Sequence, residues 1–135
     1  MTESPNPGFQ QIAIVGLGLI GGSLALDLRR LHLAEHLLGY DQRHHHCEEA
    51  LHRNLVDSAS TNFDEKLRDA DLVILATPVS SFPQVLHFIR PQLGPHTLLS
   101  DVGSVKSPLL STIQDYPELI PRFVGGHPIA GGERF

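Results

Sequence analysis

One cysteine, Cys47, is all the chain has, so no disulfide can form within it, and a lone thiol fits a reducing compartment. Positive charge is scarce too. The 135 residues carry 10 Lys and Arg against 15 Asp and Glu, a formal net charge of -5. No basic run is longer than Arg29-Arg30. Nucleic-acid binders need a positive face to meet phosphates, and this composition argues against that class. Long hydrophobic runs are missing as well. The apolar stretch Leu72 to Ala76 is far too short to span a bilayer. Met1 to Gln10 is polar, carries Pro5 and Pro7, and lacks the apolar centre of a signal peptide. The expectation is a soluble, cytoplasmic protein with neither nucleic acid nor membrane as partner.

What is present suits one domain. The apolar fraction is 41%, and folding at this size buries roughly 65–70% of the surface of the unfolded chain. Residues 1–10 read as a flexible leader and 11–135 as the domain. Within it, short apolar runs alternate with helical patterns. Strands are predicted at Ile12 to Val15, Leu37 to Tyr40, Leu72 to Ala76 and Thr97 to Val102, with a minimal one at Leu55-Val56 and a last one at Phe123-Val124. Helices are predicted from Ile20 to Leu31 and from His44 to Asn54, the second with Cys47, Ala50 and Leu51 inward. A short one starts at Asn62, capped by its own side chain, and runs to Arg68. Another is capped by Ser80 or Ser81, with Pro83 in its first turn, and reaches Arg90. A further helix is capped by Ser104 or Ser107 and holds Leu109, Leu110 and Ile113, with Pro117 past its end. This βαβα order predicts an α/β fold: a doubly wound, mostly parallel sheet with helices on both faces and right-handed crossovers.

Gly16-Leu17-Gly18-Leu19-Ile20-Gly21 fits G-x-G-x-x-G. It sits directly after a buried strand and before an amphipathic helix, the context that gives the motif meaning. Gly16 permits the tight turn, Gly18 lets a pyrophosphate approach the backbone, and Gly21 lets the helix pack on the strand. The helix N-terminus, with Leu19 and Ile20 in its first turn, offers unpaired N–H groups to phosphates. Asp41 follows Gly21 by 20 residues, where an acid can accept hydrogen bonds from the adenosine ribose. The pattern is that of a Rossmann-type dinucleotide-binding domain. A 2′-phosphate would meet the like charge of Asp41, so NAD is favoured over NADP. Arg43, close by, could instead hold such a phosphate. Asp41 could also serve merely as the N-cap of the helix that follows.

Two later segments fall beyond predicted strand ends, where ligands of open α/β sheets bind. They are Asp101-Val102-Gly103-Ser104-Val105-Lys106 and Gly125-Gly126-His127-Pro128-Ile129-Ala130-Gly131. A histidine among glycines on such a loop can move a proton near neutral pH, or it can simply fill a turn. With the glycine loop and Ala76-Thr77-Pro78, these segments make the chain resemble the prephenate/arogenate dehydrogenase family of tyrosine biosynthesis, from about Ile12 to Glu133. The resemblance implies NAD-dependent oxidative decarboxylation of prephenate or arogenate. It implies that His127 accepts the ring hydroxyl proton, that Ser104 orients it and that Glu133 also belongs to the site. Gly132 departs from the family, which more often has threonine or serine there. Thr77 and Pro78 would line the nicotinamide ribose, and Asp101 would stand at the cofactor site. The family also has a helical domain that carries much of the substrate pocket and a homodimer interface. That domain is absent from this chain, so the chain reads as a fragment, inactive alone.

The consecutive His44, His45 and His46 point about 100° apart on a helix and cannot share one ligand, so no metal site is expected. Two other readings stand beside the first. One is a different hydroxyacid-type NAD(P) dehydrogenase, against which the Gly-Gly-His-Pro segment speaks. The other is a non-catalytic NAD-binding module.

Overall fold

The computed structural model describes residues 8–102 and 108–124. Ser104, His127 and Glu133 lie outside the described residues. Five strands form one sheet: β1 (Phe9–Val15), β2 (Ala34–Tyr40), β3 (Ser58–Ser60), β4 (Leu72–Leu75) and β5 (Leu98–Asp101). Their order is β3-β2-β1-β4-β5, and every pairing is parallel. Phe123 forms an isolated parallel bridge to Leu99 on the free side of β5. The helices are α1 (Leu19–Arg30), α2 (His44–His52), α3 (Phe82–Ile89) and α4 (Pro108–Ile113).

Alternation along the strands builds two cores. Successive side chains point to opposite faces, so Ile12 and Ile14 enter one cluster while Ala13 and Val15 enter the other. The first cluster takes in Ala25 and Leu28 of α1 and Cys47 and Ala50 of α2. The second takes in Phe82, Leu86 and Ile89 of α3 and Leu109 and Ile113 of α4. A strand buried on both faces reads as a continuous apolar run, which is why β1 and β4 were legible. The doubly wound reading therefore holds.

Several element boundaries differ from expectation. β1 begins at Phe9, inside the expected leader. Its start is pinned by Asp71, whose carboxylate accepts the N–H groups of Gln10 and Gln11 at 2.8 and 3.0 Å. The third strand is Ser58–Ser60 and not Leu55-Val56. Val56 is a buried member of the first core cluster and Leu55 packs on it, while the polar Ser-Ala-Ser segment pairs at the sheet edge. Leu51 is exposed. The segment after β3 is a 3₁₀ helix, Glu65–Asp69, capped by Asp64 through the Lys66 N–H and not by Asn62. No serine side chain caps α3; a 3₁₀ turn, Val79–Ser81, leads into it. Past α4, Pro117 opens a further 3₁₀ segment, Pro117–Arg122.

Candidate functional site

The sheet order places β1 beside β4, although β2 and β3 follow β1 in the chain. The connections leave these two strands in opposite directions, which opens a crevice beyond their carboxyl ends. That crevice has a volume of about 470 Å³ and runs from Gly18, Leu19 and Ile20 to Thr77, Pro78 and Val102. Leu19 and Ile20 are exposed, Leu19 at 88%.

The three motif glycines differ in what requires them. Gly16 has φ 105°, and a Cβ there would lie 2.8 Å from the Ala76 carbonyl carbon. Its N–H is fixed on the Tyr40 carbonyl at 2.7 Å. A Cβ on Gly21 would run into the Gly16 carbonyl oxygen, far inside contact distance. Both are glycine because the protein itself fills the space. Gly18 is different. Its φ is negative (-74°), and the nearest atom to a Cβ there would be His46 Cε1 at 3.8 Å. Among the described residues nothing demands glycine at that position. Gly18 is also the N-cap of α1, with no side-chain cap and no acid in the first turn. Among the described residues no side chain caps the first-turn N–H groups, which can then meet water or a ligand. Beside them the Thr77 Oγ1 is buried without a hydrogen-bond partner among the described residues.

Asp41 follows the end of β2, and its side chain is only 10% exposed. One oxygen, Oδ2, accepts the Leu17 N–H at 2.7 Å and lies 3.0 Å from His46 Nδ1. The other, Oδ1, accepts the Arg43 N–H at 2.8 Å. Partial burial pushes the carboxyl upward, but the Leu17 and Arg43 N–H groups and His46 outweigh it and hold it below its ordinary value. Asp41 therefore does not cap α2, whose N-cap is Arg43. It ties β2 to the glycine loop, and Oδ1 keeps an accepting position. The Arg43 side chain is exposed next to it.

Asp101 is 2% exposed, and its neighbour Val102 reaches the crevice instead. Among the described residues no group of histidines, cysteines and carboxylates could hold a metal ion, and no helix is long and apolar enough to cross a membrane. His46, set aside in the sequence as one of three adjacent histidines, is the residue that sequence reasoning missed. Its only signal was its place five residues after Asp41, at the start of a helix.

A family model described as the nucleotide-binding domain of prephenate dehydrogenase matches residues 24–135. The prephenate dehydrogenase of Bacillus subtilis (strain 168) is 34% identical over 124 residues, which are 91% of this chain and 33% of that protein. A crystal structure of prephenate dehydrogenase from A. aeolicus, in complex with hydroxyphenyl propionate and NAD+, superposes with TM-score 0.77 at 34% identity. The match covers 93% of this chain and 43% of that one. Synechocystis arogenate dehydrogenase gives TM-score 0.76 at 38% identity, over 88% of this chain and 41% of its own. The chain thus spans less than half the length of each of these relatives.

Proposed function

The chain belongs to the family of prephenate dehydrogenase nucleotide-binding domains, and we propose that it is the NAD-binding part of an enzyme that oxidatively decarboxylates prephenate, or its amino counterpart arogenate. The observation that carries the proposal is Gly18. The fold leaves room for a side chain there, yet the residue is glycine, beside free helix N–H groups and below a crevice. An anionic group lying against the backbone accounts for this, and a dinucleotide pyrophosphate is such a group. The residues fit NAD along its length. Gly18 and the first turn of α1 would hold the pyrophosphate. The free accepting position on Asp41 Oδ1 would take an adenosine ribose hydroxyl. Thr77 Oγ1, buried and without a hydrogen-bond partner among the described residues, would supply a donor for the nicotinamide ribose.

When bound, the nicotinamide supplies the hydride acceptor. The protein's part is positioning, exclusion of water and movement of one proton. His127 would accept the proton of the ring hydroxyl, with Ser104 orienting it and Glu133 close by. Loss of carbon dioxide then gives an aromatic product. The substrate pocket and a homodimer interface would come from a helical domain beyond this chain.

Calorimetric titration of the chain with NAD and NADP tests the cofactor, and NADH formation with prephenate and with arogenate tests the activity. The chain should bind NAD more tightly than NADP and turn over neither substrate. A protein extended by a substrate domain should turn one of them over. Failure to bind either dinucleotide refutes the reading, and tighter NADP binding refutes the role given to Asp41.

A further inference from the structure

His46 stands where three parts of the cofactor cradle meet. It lies in the first turn of α2. Its Nδ1 is 3.0 Å from Asp41 Oδ2, and its Cε1 faces the bare side of Gly18. The oxygen it touches is the one that accepts the Leu17 N–H from the glycine loop. Its side chain is 27% exposed, against 10% for Asp41, so the ring can exchange protons with water while the carboxylate is largely shielded.

We propose that His46 is a specificity-determining positioning residue, acting through Asp41 to set the charge offered to the 2′ position of the adenosine ribose. The proposal rests on the dinucleotide reading above. A neutral imidazole can donate through Nδ1 and hold the carboxylate in place, and Asp41 then presents a full negative charge that repels a 2′-phosphate. Protonated His46 makes the same contact, but the pair is then neutral and the repulsion is cancelled. Discrimination against 2′-phosphorylated dinucleotides is therefore weaker when the His46 ring carries a second proton than when it is neutral.

The other charged groups near the ring do not do this work. On α2 itself, His45 stacks edge-on at 4.5 Å between ring centroids and is exposed. His44 pairs with Glu48 at 3.1 Å on the exposed side. Glu49 and Arg53, which share a second crevice with His46, lie 3.7 Å from each other as a pair. The Arg43 side chain is exposed, and an arginine is a fixed charge at either pH. From α1 and the glycine loop, that crevice is lined by Leu17, Gly18, Leu19, Gly22, Ser23 and Leu26, all without charge.

Two variants separate position from charge. In His46→Asn the amide nitrogen takes the place of Nδ1, so the donor stays and the titration goes. In His46→Leu both go. Calorimetry with NAD and NADP at pH 8.0 and 5.5 gives the ratio of the two dissociation constants. The 2′-phosphate has its own ionisation near pH 6, so the variant is the reference. Going to pH 5.5, the NADP preference should rise about fivefold more in the native chain than in His46→Asn, the scale of one charge acting across about 4 Å of water. At pH 8.0, His46→Asn should retain NAD affinity within about threefold, and His46→Leu should lose more. A second readout needs no cofactor. The Leu17 amide resonance should shift between pH 8.0 and 5.5 in the native chain and stay fixed in His46→Asn. Equal pH dependence of the ratio in native and Asn chains overturns the proposal, as does an unmoved Leu17 amide. A moving amide without binding of either dinucleotide overturns it through the dinucleotide reading and leaves the His46–Asp41 contact standing.

Discussion

Replacing Asp41 should unsettle the fold before any ligand is considered. Its carboxylate accepts the N–H groups of Leu17 and Arg43 and contacts His46. In Asp41→Ala the Leu17 N–H, on a residue that is buried, loses its acceptor, at about 1–3 kcal/mol for an unsatisfied buried donor. Loss of the charge-assisted contacts brings the total to about 2–4 kcal/mol. In a domain of this size each kcal/mol moves the midpoint by roughly 3–5 °C, so the melting temperature should fall by roughly 6–20 °C at pH 7. Asp41→Asn keeps the shape and one acceptor, and should lose about half as much. The pH dependence follows from the depressed carboxyl. A folded-state value below the unfolded one stabilises above about pH 3.9 and is lost as pH falls through the folded value. The gap between native and Asp41→Asn should therefore be full at pH 5–7 and close below about pH 4. Thermal melts of native, Asn and Ala chains from pH 3 to 7 measure this. A melting temperature of Asp41→Ala within 2 °C of native at pH 7, or a gap to Asn that persists undiminished at pH 3, would refute the tethering role.

Four further outcomes are expected. Gly21→Ala should prevent stable folding, because the new methyl collides with the Gly16 carbonyl; Gly18→Ala should leave the melting temperature within about 2 °C of native, yet weaken NAD binding at least tenfold by calorimetry. His32→Gly should stabilise the chain by up to about 1 kcal/mol in urea melts, since His32 holds φ 54° just past α1, where glycine is strain-free. In a protein carrying the substrate domain, His127→Asn should cut turnover by roughly 10²–10⁴ and leave NAD affinity nearly unchanged; near-normal turnover across the pH range would remove His127 from the role of proton acceptor.

The fold was legible wherever burial writes itself into the sequence. β1 and β4 lie inside the sheet and had to be apolar on both sides, so Ile12 to Val15 and Leu72 to Ala76 stood out. β3 has neither property. Ser58–Ser60 pairs through its backbone at an edge, and backbone pairing leaves no mark on residue type. Leu55 and Val56 drew attention instead because they are apolar, but they serve the core cluster from a loop, Val56 buried in it and half-buried Leu55 packed on it. The ends of α1 and α2 carried a similar ambiguity. His32 and Asn54 take the left-handed conformation that closes each helix. In both cases the residue beyond bonds back to the last turn, Leu33 N–H to the Leu28 carbonyl at 3.0 Å and Leu55 N–H to the Ala50 carbonyl at 2.8 Å. Histidine at such a position gives no warning, whereas glycine would have.

The site was legible in a more particular way. A glycine motif names three residues without saying which of them the fold needs. Collisions at Gly16 and Gly21 explain those two entirely from within the protein. Only the room left at Gly18 points outward to a ligand, and that distinction exists in three dimensions alone. Asp41 shows the converse. Its position 20 residues after Gly21 suggested a ribose acceptor, but most of its hydrogen-bonding capacity is used on Leu17, Arg43 and His46. The two duties support each other. A carboxylate fixed by three internal contacts is held in one orientation, so a hydroxyl approaching its remaining lone pair meets an acceptor already in place, and little rotamer freedom is lost on binding. The acid that recognises the ribose would then also fix the glycine loop against β2, coupling the two ends of the cofactor cradle before the cofactor arrives.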